Sequence, residues 1–281
     1  MTAEVRIDAL LPAEMARRAE YLGVRKAEAP VLATFTLAVL AGAFIALGSV
    51  FATTVAAGTS GVVPYGVARL LIGSVFSLGL ILVIVGGAEL FTGNNLIVMA
   101  WASRKVTTLA LLRNWVIVYA GNFVGALGTA VLVVLSRQYT FGGGAVGAAA
   151  LSIAGAKVGF GFVQALALGV LCNALVCLAV WLSYSARSTI DRIASILFPI
   201  SAFVAAGFEH SIANMYFIPV GLLLKSFDPG FVAASGVDVS RLTWESFLLA
   251  NLVPVTLGNV LGGSLLVAVT YWFVFLRGSQ A

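Results

Sequence analysis

Six stretches of nearly unbroken apolar residues, separated by short polar ones, set the pattern of this chain. They run at about Val31–Ala57, Val67–Trp101, Thr107–Ser136, Val158–Tyr184, Thr189–Leu224 and Thr243–Leu276. A hydrocarbon core about 30 Å thick is crossed by about 20 helical residues, so each stretch predicts a transmembrane helix. The first and fourth fit with some tilt, and the third and sixth are rather longer. The second and fifth run to about 35 residues, too long for one straight span, and both carry polar residues inside. They are predicted to be broken. In lipid, a break frees backbone N–H and C=O groups, which is tolerable only where they line a cavity or are buried in protein.

The pattern also repeats. Asn114-x-Val116-x-Val118-x-x-Gly121-Asn122-x-x-Gly125 in the third stretch matches Asn251-x-Val253-x-Val255-x-x-Gly258-Asn259-x-x-Gly262 in the sixth. Gly87-Ala88-Glu89 in the second corresponds to Gly207-Phe208-Glu209 in the fifth, and Leu37-x-Val39-Leu40 is weakly echoed by Leu168-x-Val170-Leu171. Each half then holds three spans, and because three is odd the second half enters the bilayer in the opposite sense. The expected fold class is an all-α membrane protein, six transmembrane helices as two inverted three-helix repeats with the second and fifth helices broken. Inverted repeats with an interrupted helix in each half are a transport architecture, with the solute site near the midplane. The Gly121/Gly125 and Gly258/Gly262 pairs predict close helix approach rather than chemistry.

Composition agrees, with 61% hydrophobic and 10% charged residues. Residues 1–30 hold Glu4, Arg6, Asp8, Glu14, Arg17, Arg18, Glu20, Arg25, Lys26 and Glu28. No apolar core follows a basic start, so a cleavable signal is not expected there. Pro12 suits a first helical position and Gly23 a cap, which predicts a short amphipathic helix from Pro12 to Leu22 on the protein or membrane surface, or a solvated tail with a nascent helix. The domain plan is an amphipathic arm over 1–30, a six-span channel domain over 31–276 and a tail over 277–281. Arg69, Arg137, Lys157, Lys225 and Arg241 fall on one side of the spans and the other eleven Lys and Arg residues on the opposite side. By the positive-inside rule both termini are cytoplasmic. Trp101, Trp115, Trp181, Tyr184, Trp244 and Trp272 lie near span ends, as an aromatic belt does. The basic excess suits anionic lipid head groups, and no nucleic-acid module is visible. Cys172 and Cys177 project about 140° apart on one helix and do not readily bridge. With one histidine and no Cys or His cluster, neither a metal site nor a cofactor is expected.

Gly207-Phe208-Glu209-His210-Ser211-Ile212-Ala213-Asn214 sets the chain's only histidine beside a glutamate within the fifth stretch. Ionisable side chains at membrane depth cost roughly 2.5–3.5 kcal/mol each on insertion scales and mark solute paths. His210 is therefore predicted to be functional, able to donate a hydrogen bond to an anion or exchange a proton with it. Glu89 and Glu209 are expected to support the breaks by accepting hydrogen bonds from freed backbone N–H groups. Ser211 beside His210 does not make a nucleophile–base pair, since adjacent helical positions point about 100° apart, so an enzyme is not expected. Thr92, Gly93, Asn94 and Asn95 follow Leu90 and Phe91, an alternation suited to hydrophobic constrictions around a small polar chamber. Asn173 is either a wall group or an interhelical hydrogen bond. Lys157, at the start of the fourth span, either draws anions into a vestibule or snorkels.

Glu89-Leu90-Phe91-Thr92-Gly93, Cys172-Asn173-Ala174-Leu175-Val176-Cys177-Leu178-Ala179 and Phe208-Glu209-His210-Ser211-Ile212-Ala213-Asn214-Met215, with Gly258-Asn259, are similar to the signatures of the formate/nitrite transporter family. The resemblance covers nearly the whole chain, from Leu10-Leu11-Pro12 to Tyr271-Trp272. It implies an aquaporin-like fold in the bacterial cytoplasmic (inner) membrane, assembled as a homopentamer with a pore in every protomer, for small monovalent anions such as formate, nitrite or hydrosulfide. By matching position it implies that His210 is the central pore histidine and Thr92 its partner. It also implies that Leu80 and Leu90 form the cytoplasmic constriction and Phe76, Phe91 and Val176 the periplasmic one, while Asn173 and Lys157 attract and polarise the anion. Glu89, Glu209 and Asn214 support the loops. Leu11-Pro12-Ala13-Glu14-Met15-Ala16 and Trp181-Leu182-Ser183-Tyr184-Ser185-Ala186-Arg187-Ser188 resemble the formate branch, whereas Gly93 resembles nitrite-type members. The expected mechanism is passage of a weak-acid anion through dry constrictions as the neutral acid, its proton supplied by His210 or water at that position. The other classes considered are a neutral-solute facilitator, which the absence of paired Asn-Pro-Ala boxes disfavours, and a membrane-embedded enzyme.

Overall fold

Pro12 opens the first helix of the computed structural model, which describes residues 9–280. The arm residues Glu4, Arg6 and Asp8, and the last tail residue Ala281, lie outside the described residues. Helix α1 (Pro12–Glu28) starts where proline's missing N–H costs nothing, but it does not stop at Gly23. A Cβ on Gly23 would stand 3.0 Å from Ala100 Cβ, so this glycine permits close packing rather than ending a helix. α1 packs on the protein: Ala16, Ala19 and Ala27 are buried, and Lys105 Nζ holds Glu20 Oε2 at 2.5 Å.

Six helices among the described residues are long and apolar enough to cross a membrane. They are α2 (Val31–Ala56), α3 (Tyr65–Gly86), α6 (Thr108–Leu135), α8 (Phe162–Ser185), α9 (Thr189–Ala206) and the last span, Ser246–Phe275. After α3 the chain runs extended and re-enters helix as α4 (Phe91–Asn94), a 3-10 turn (Asn95–Ile97) and α5 (Val98–Ala102). After α9 it does the same and continues as α10 (Ser211–Phe227), then turns by 110° into α11 (Pro229–Ser235). The last span consists of a π-helical stretch Ser246–Leu252, α12 (Val253–Val260), a second π-helical stretch Leu261–Val269, and α13 (Thr270–Phe275). Its first wide turns precede Pro254, whose missing N–H cannot continue the regular ladder.

One helix has no counterpart in the hydropathy reading. Gly142, Gly143 and Gly144 all take positive φ and turn the chain into α7 (Ala145–Lys157), thirteen residues long and too short to span. Lys157 therefore ends α7, and α8 begins only at Phe162, not at Val158. The Ala/Gly composition of α7 lacks the bulk that marks a span, which is why it reads as connection.

Close backbone approach sets how the helices stand together. α2 packs on α6 where a Cβ on Gly42 would fall on the carbonyl oxygen of Asn122 and one on Gly125 on that of Val39. α8 packs on α12 in the same way: a Cβ on Gly258 would fall on the carbonyl oxygen of Leu166, and one on Gly262 on that of Val170. Small residues give backbones in lipid the van der Waals contact that water would otherwise drive through burial.

Candidate functional site

Two short extended segments, 87–90 and 207–210, face each other inside the bundle. Each begins on a glycine in the left-handed region that caps the preceding helix, Gly87 at φ 79° and Gly207 at φ 77°. Only glycine takes that turn without a Cβ penalty. Each ends on an extended residue that starts the next helix, Leu90 and His210.

The freed backbone groups are answered by asparagines. Asn122 Oδ1 accepts from Phe91 N at 2.9 Å, while its Nδ2 donates to Ala38 O at 2.8 Å and Glu89 O at 2.9 Å. Asn259 does the same in the other half, accepting from Ser211 N at 2.9 Å and donating to Gly169 O at 2.8 Å and Glu209 O at 3.0 Å. These two residues perform the task expected of Glu89 and Glu209. The glutamate carboxylates serve a different network. Glu89 takes Lys26 Nζ at 2.8 Å and Asn94 Nδ2 at 2.7 Å, with Asn94 also reaching Asn114. Glu209 takes Lys157 Nζ at 2.7 Å and Asn214 Nδ2 at 2.7 Å, with Asn214 also reaching Asn251. The two networks share the same lysine, glutamate and asparagine pairs, differing in that Lys26 also reaches Asn94 Oδ1 and Asn251 also reaches Glu209. A carboxylate at this depth is tolerable because each oxygen has a charged or amide donor.

At the centre, His210 Nε2 lies 3.0 Å from Thr92 Oγ1. His210 Nδ1 accepts from Ala213 N at 3.1 Å, capping α10. A ring nitrogen that accepts carries no hydrogen, so the neutral ring holds its proton on Nε2, the atom turned to Thr92. The position matching His210 in the first half is Leu90, so one polar group stands where its counterpart is aliphatic. Phe203 stacks on the His210 ring at 5.9 Å and meets Phe76 edge-on at 5.7 Å.

Two cavities approach this point from opposite faces. One, of about 300 Å³, is walled by α1 and the first extended segment, with Lys26, Glu89, Leu80 and Leu90 in its lining. The other, of about 200 Å³, has Phe76, Phe203, Lys157, Glu209, His210 and Asn214 in its lining. Gly93 lines the first, and a Cβ there would sit 3.5 Å from Val180 Cγ2, so its missing side chain leaves room.

Thr92, Phe91, Val176 and Asn173 are buried and line neither cavity. Phe91 packs edge-on against Trp115 and Tyr119. Asn173 donates to Asn259 O at 2.7 Å, Asn95 Oδ1 at 3.1 Å and Thr92 O at 3.3 Å. It bridges the two halves instead of presenting its amide to solvent. Phe203, Lys26, Asn122 and Asn259 were not among the expected site residues. The asparagines did carry a signal, since they occupy one of the two asparagine positions shared by the halves of the internal repeat. Lys26 looked like one of several arm charges, and nothing separated Phe203 from other apolar residues.

Paired loop anchors, a buried Thr–His contact and a cavity on either side of it describe a conduit, and the sequence model of formate/nitrite transporters matches residues 13–273. The chain belongs to the formate/nitrite transporter family. It is 48% identical to the formate channel FocA of Escherichia coli (strain K12), over 99% of this chain and 98% of that one. It is 41% identical to formate channel FocA of Haemophilus influenzae, over 93% of each. A solved structure described as a pentameric formate channel with formate bound superposes with a TM-score of 0.82 at 43% identity, covering 88% of this chain and 98% of that one. The all-helical fold expected from hydropathy is thus that of this family.

Proposed function

We propose that this protein is a channel for small monovalent weak-acid anions, with formate its substrate. The Thr92–His210 contact between two cavities carries the reading. Formate is favoured by the names of the relatives aligned along the full chain. Nitrite keeps one observation in its favour, the space left at Gly93.

An anion approaching from either face meets a lysine whose charge is balanced by a glutamate, Lys26 with Glu89 or Lys157 with Glu209. Beyond it lies a dry step, Leu80 and Leu90 on one side and Phe76 with Phe203 on the other. Phe91 and Val176 back the second step from behind. A bare anion loses hydration there that no fixed cation replaces. The neutral acid does not, so the species that crosses is the acid. Thr92 hydroxyl and His210 Nε2–H supply hydrogen bonds to it midway, and the proton comes from His210 or from water beside it. Asn173, Asn214 and the two glutamates hold the geometry without touching substrate.

The matched networks support an inverted repeat of two three-span halves, each with one broken helix, in an aquaporin-like arrangement. Residues 31–276 form the channel domain, with 1–30 and 277–281 as cytoplasmic flanks, α1 contributing to a cavity wall. The α1 face is the cytoplasmic one in the inner membrane, consistent with its Lys and Arg excess. The lipid bilayer, four further copies of the chain and protons are its partners.

Reconstituted protein should take up formate faster as pH falls, while chloride, the anion of a strong acid, barely passes. Equal rates for the two would remove the basis for transport as the acid. His210→Asn keeps an oxygen able to cap α10 but no titratable group, so it should assemble normally and lose proton-coupled uptake.

A further inference from the structure

Arg69, Gly73 and Phe76 fall on the α3 face turned to α9. A Cβ on Gly73 would stand 2.5 Å from the Ser201 carbonyl oxygen, so the two backbones touch there. One turn earlier on α3, the Arg69 guanidinium donates through Nε to Ala205 O at 3.1 Å and through Nη2 to Val204 O. Both acceptors lie in the last turn of α9, where carbonyls lack regular ladder partners and form the negative end of the helix dipole. Arg69 is half-buried, and among the described residues no carboxylate pairs with it. Pro199 removes one ladder bond from α9 ahead of this end, so the turn carrying Phe203 depends more on what it packs against. In the first half the matching carbonyls, those of Ile84 and Val85, accept from no side chain among the described residues.

We infer that Arg69 is a positioning residue, a latch that ties the end of α9 to α3 and thereby sets the aperture between Phe76 and Phe203. These rings meet edge-on at 5.7 Å, one from each helix, so the spacing of the two helices is the spacing of the step. Phe203 also stacks on His210 at 5.9 Å, so the same latch fixes the wall against that ring. Hydrogen bonds from a charged donor to main-chain oxygens are stronger than neutral ones, and Arg69 places two of them beside Phe203. Close-packed apolar walls discriminate single methyl groups, so a small loosening there changes which acid passes. Arg69 acts through the two phenylalanines and touches no solute. The inference rests on the transport reading and adds what sets its size limit.

The test is the flux of lactate relative to formate in reconstituted vesicles. The two acids are of nearly equal strength and differ in size, so their ratio reports aperture rather than protonation. In Arg69→Met and Arg69→Gln, which cannot span both carbonyls, the ratio should rise about tenfold. Arg69→Lys keeps a charged donor for a carbonyl and should stay near the wild-type ratio. A residue that merely stabilises α9 would lower the thermal midpoint and leave the ratio unchanged. A wild-type ratio in either the methionine or the glutamine protein, assembled as judged by gel filtration, overturns the latch. So does a lysine protein as permissive as the methionine one. Failure of both neutral variants to assemble overturns it too, because Arg69 would then serve folding and not aperture. Absence of formate flux in the wild type instead overturns the transport reading.

Discussion

At the scale of single residues, the heaviest burden falls on two asparagines that touch no solute. Asn259 satisfies one backbone N–H and two backbone carbonyls around the second extended segment, all buried. Replacing it with alanine leaves Ser211 N–H and the Glu209 carbonyl unpaired in a setting without water, at about 1–3 kcal/mol each, whereas the Gly169 carbonyl keeps its bond within α8. Asn259→Ala should therefore lower stability by about 2–6 kcal/mol, read as a fall in thermal midpoint in detergent. Asn259→Asp should do no better, because it keeps the acceptor but loses the donor and buries a charge. Either variant unfolding like wild type would show that the segment is held by other contacts. The sequence pointed to these residues only through their repetition. His210 and Thr92 were legible because a polar group in an apolar run is expensive, but their 3.0 Å contact joins positions 118 residues apart, which no local pattern encodes. Lys26 and Lys157 were opaque for the same reason: a lysine near a span end looks alike whether it snorkels or meets a glutamate.

At the scale of elements, hydropathy located the spans to within a few residues, since a bilayer imposes one length on every crossing. It failed where length and bulk carry no signal. α7 is built of alanine and glycine between spans, and α1 passes through a glycine that looks like a stop. In both, the small residue serves packing against a neighbour, which only the fold reveals. The α2–α6 crossing makes this testable. A Cβ on Gly125 would collide with the Val39 carbonyl, whereas one on Gly128, a turn away on the same helix, meets nothing within 4 Å. Gly125→Ala should destabilise the protein by about 1–3 kcal/mol or more, the range for overpacking a rigid contact. Gly128→Ala should be neutral or slightly stabilising, since alanine is the better helix former. The pair separates close approach from helix propensity, and equal thermal midpoints for the two would remove close approach as the reason for Gly125.

At the scale of the molecule, what one chain leaves uncovered matters as much as what it encloses. Only 33% of the α6 span window is buried, and Val116, Leu132 and Leu135 on α6 stand open beside Leu40, Leu47 and Phe51 on α2. Lipid can cover such surface, but so can copies of the chain, and the solved formate channel of the same fold is pentameric. Everything proposed to carry transport lies within one chain: Thr92, His210, both cavities and both lysine–glutamate pairs. A ring of five such chains encloses five paths, not one shared path. Mixed assemblies distinguish these arrangements. Leu90→Trp should plug one protomer's dry step, so co-expressing it with wild type in varying ratios gives assemblies with a graded number of open paths. With independent pores, formate flux should fall in proportion to the plugged fraction, reaching one half at equal amounts. A shared pore needing five intact protomers would leave about a thirtieth at that ratio. A proportional decline, with native mass giving about five protomers per particle, is the expected result; a steep one would overturn the reading of one path per chain.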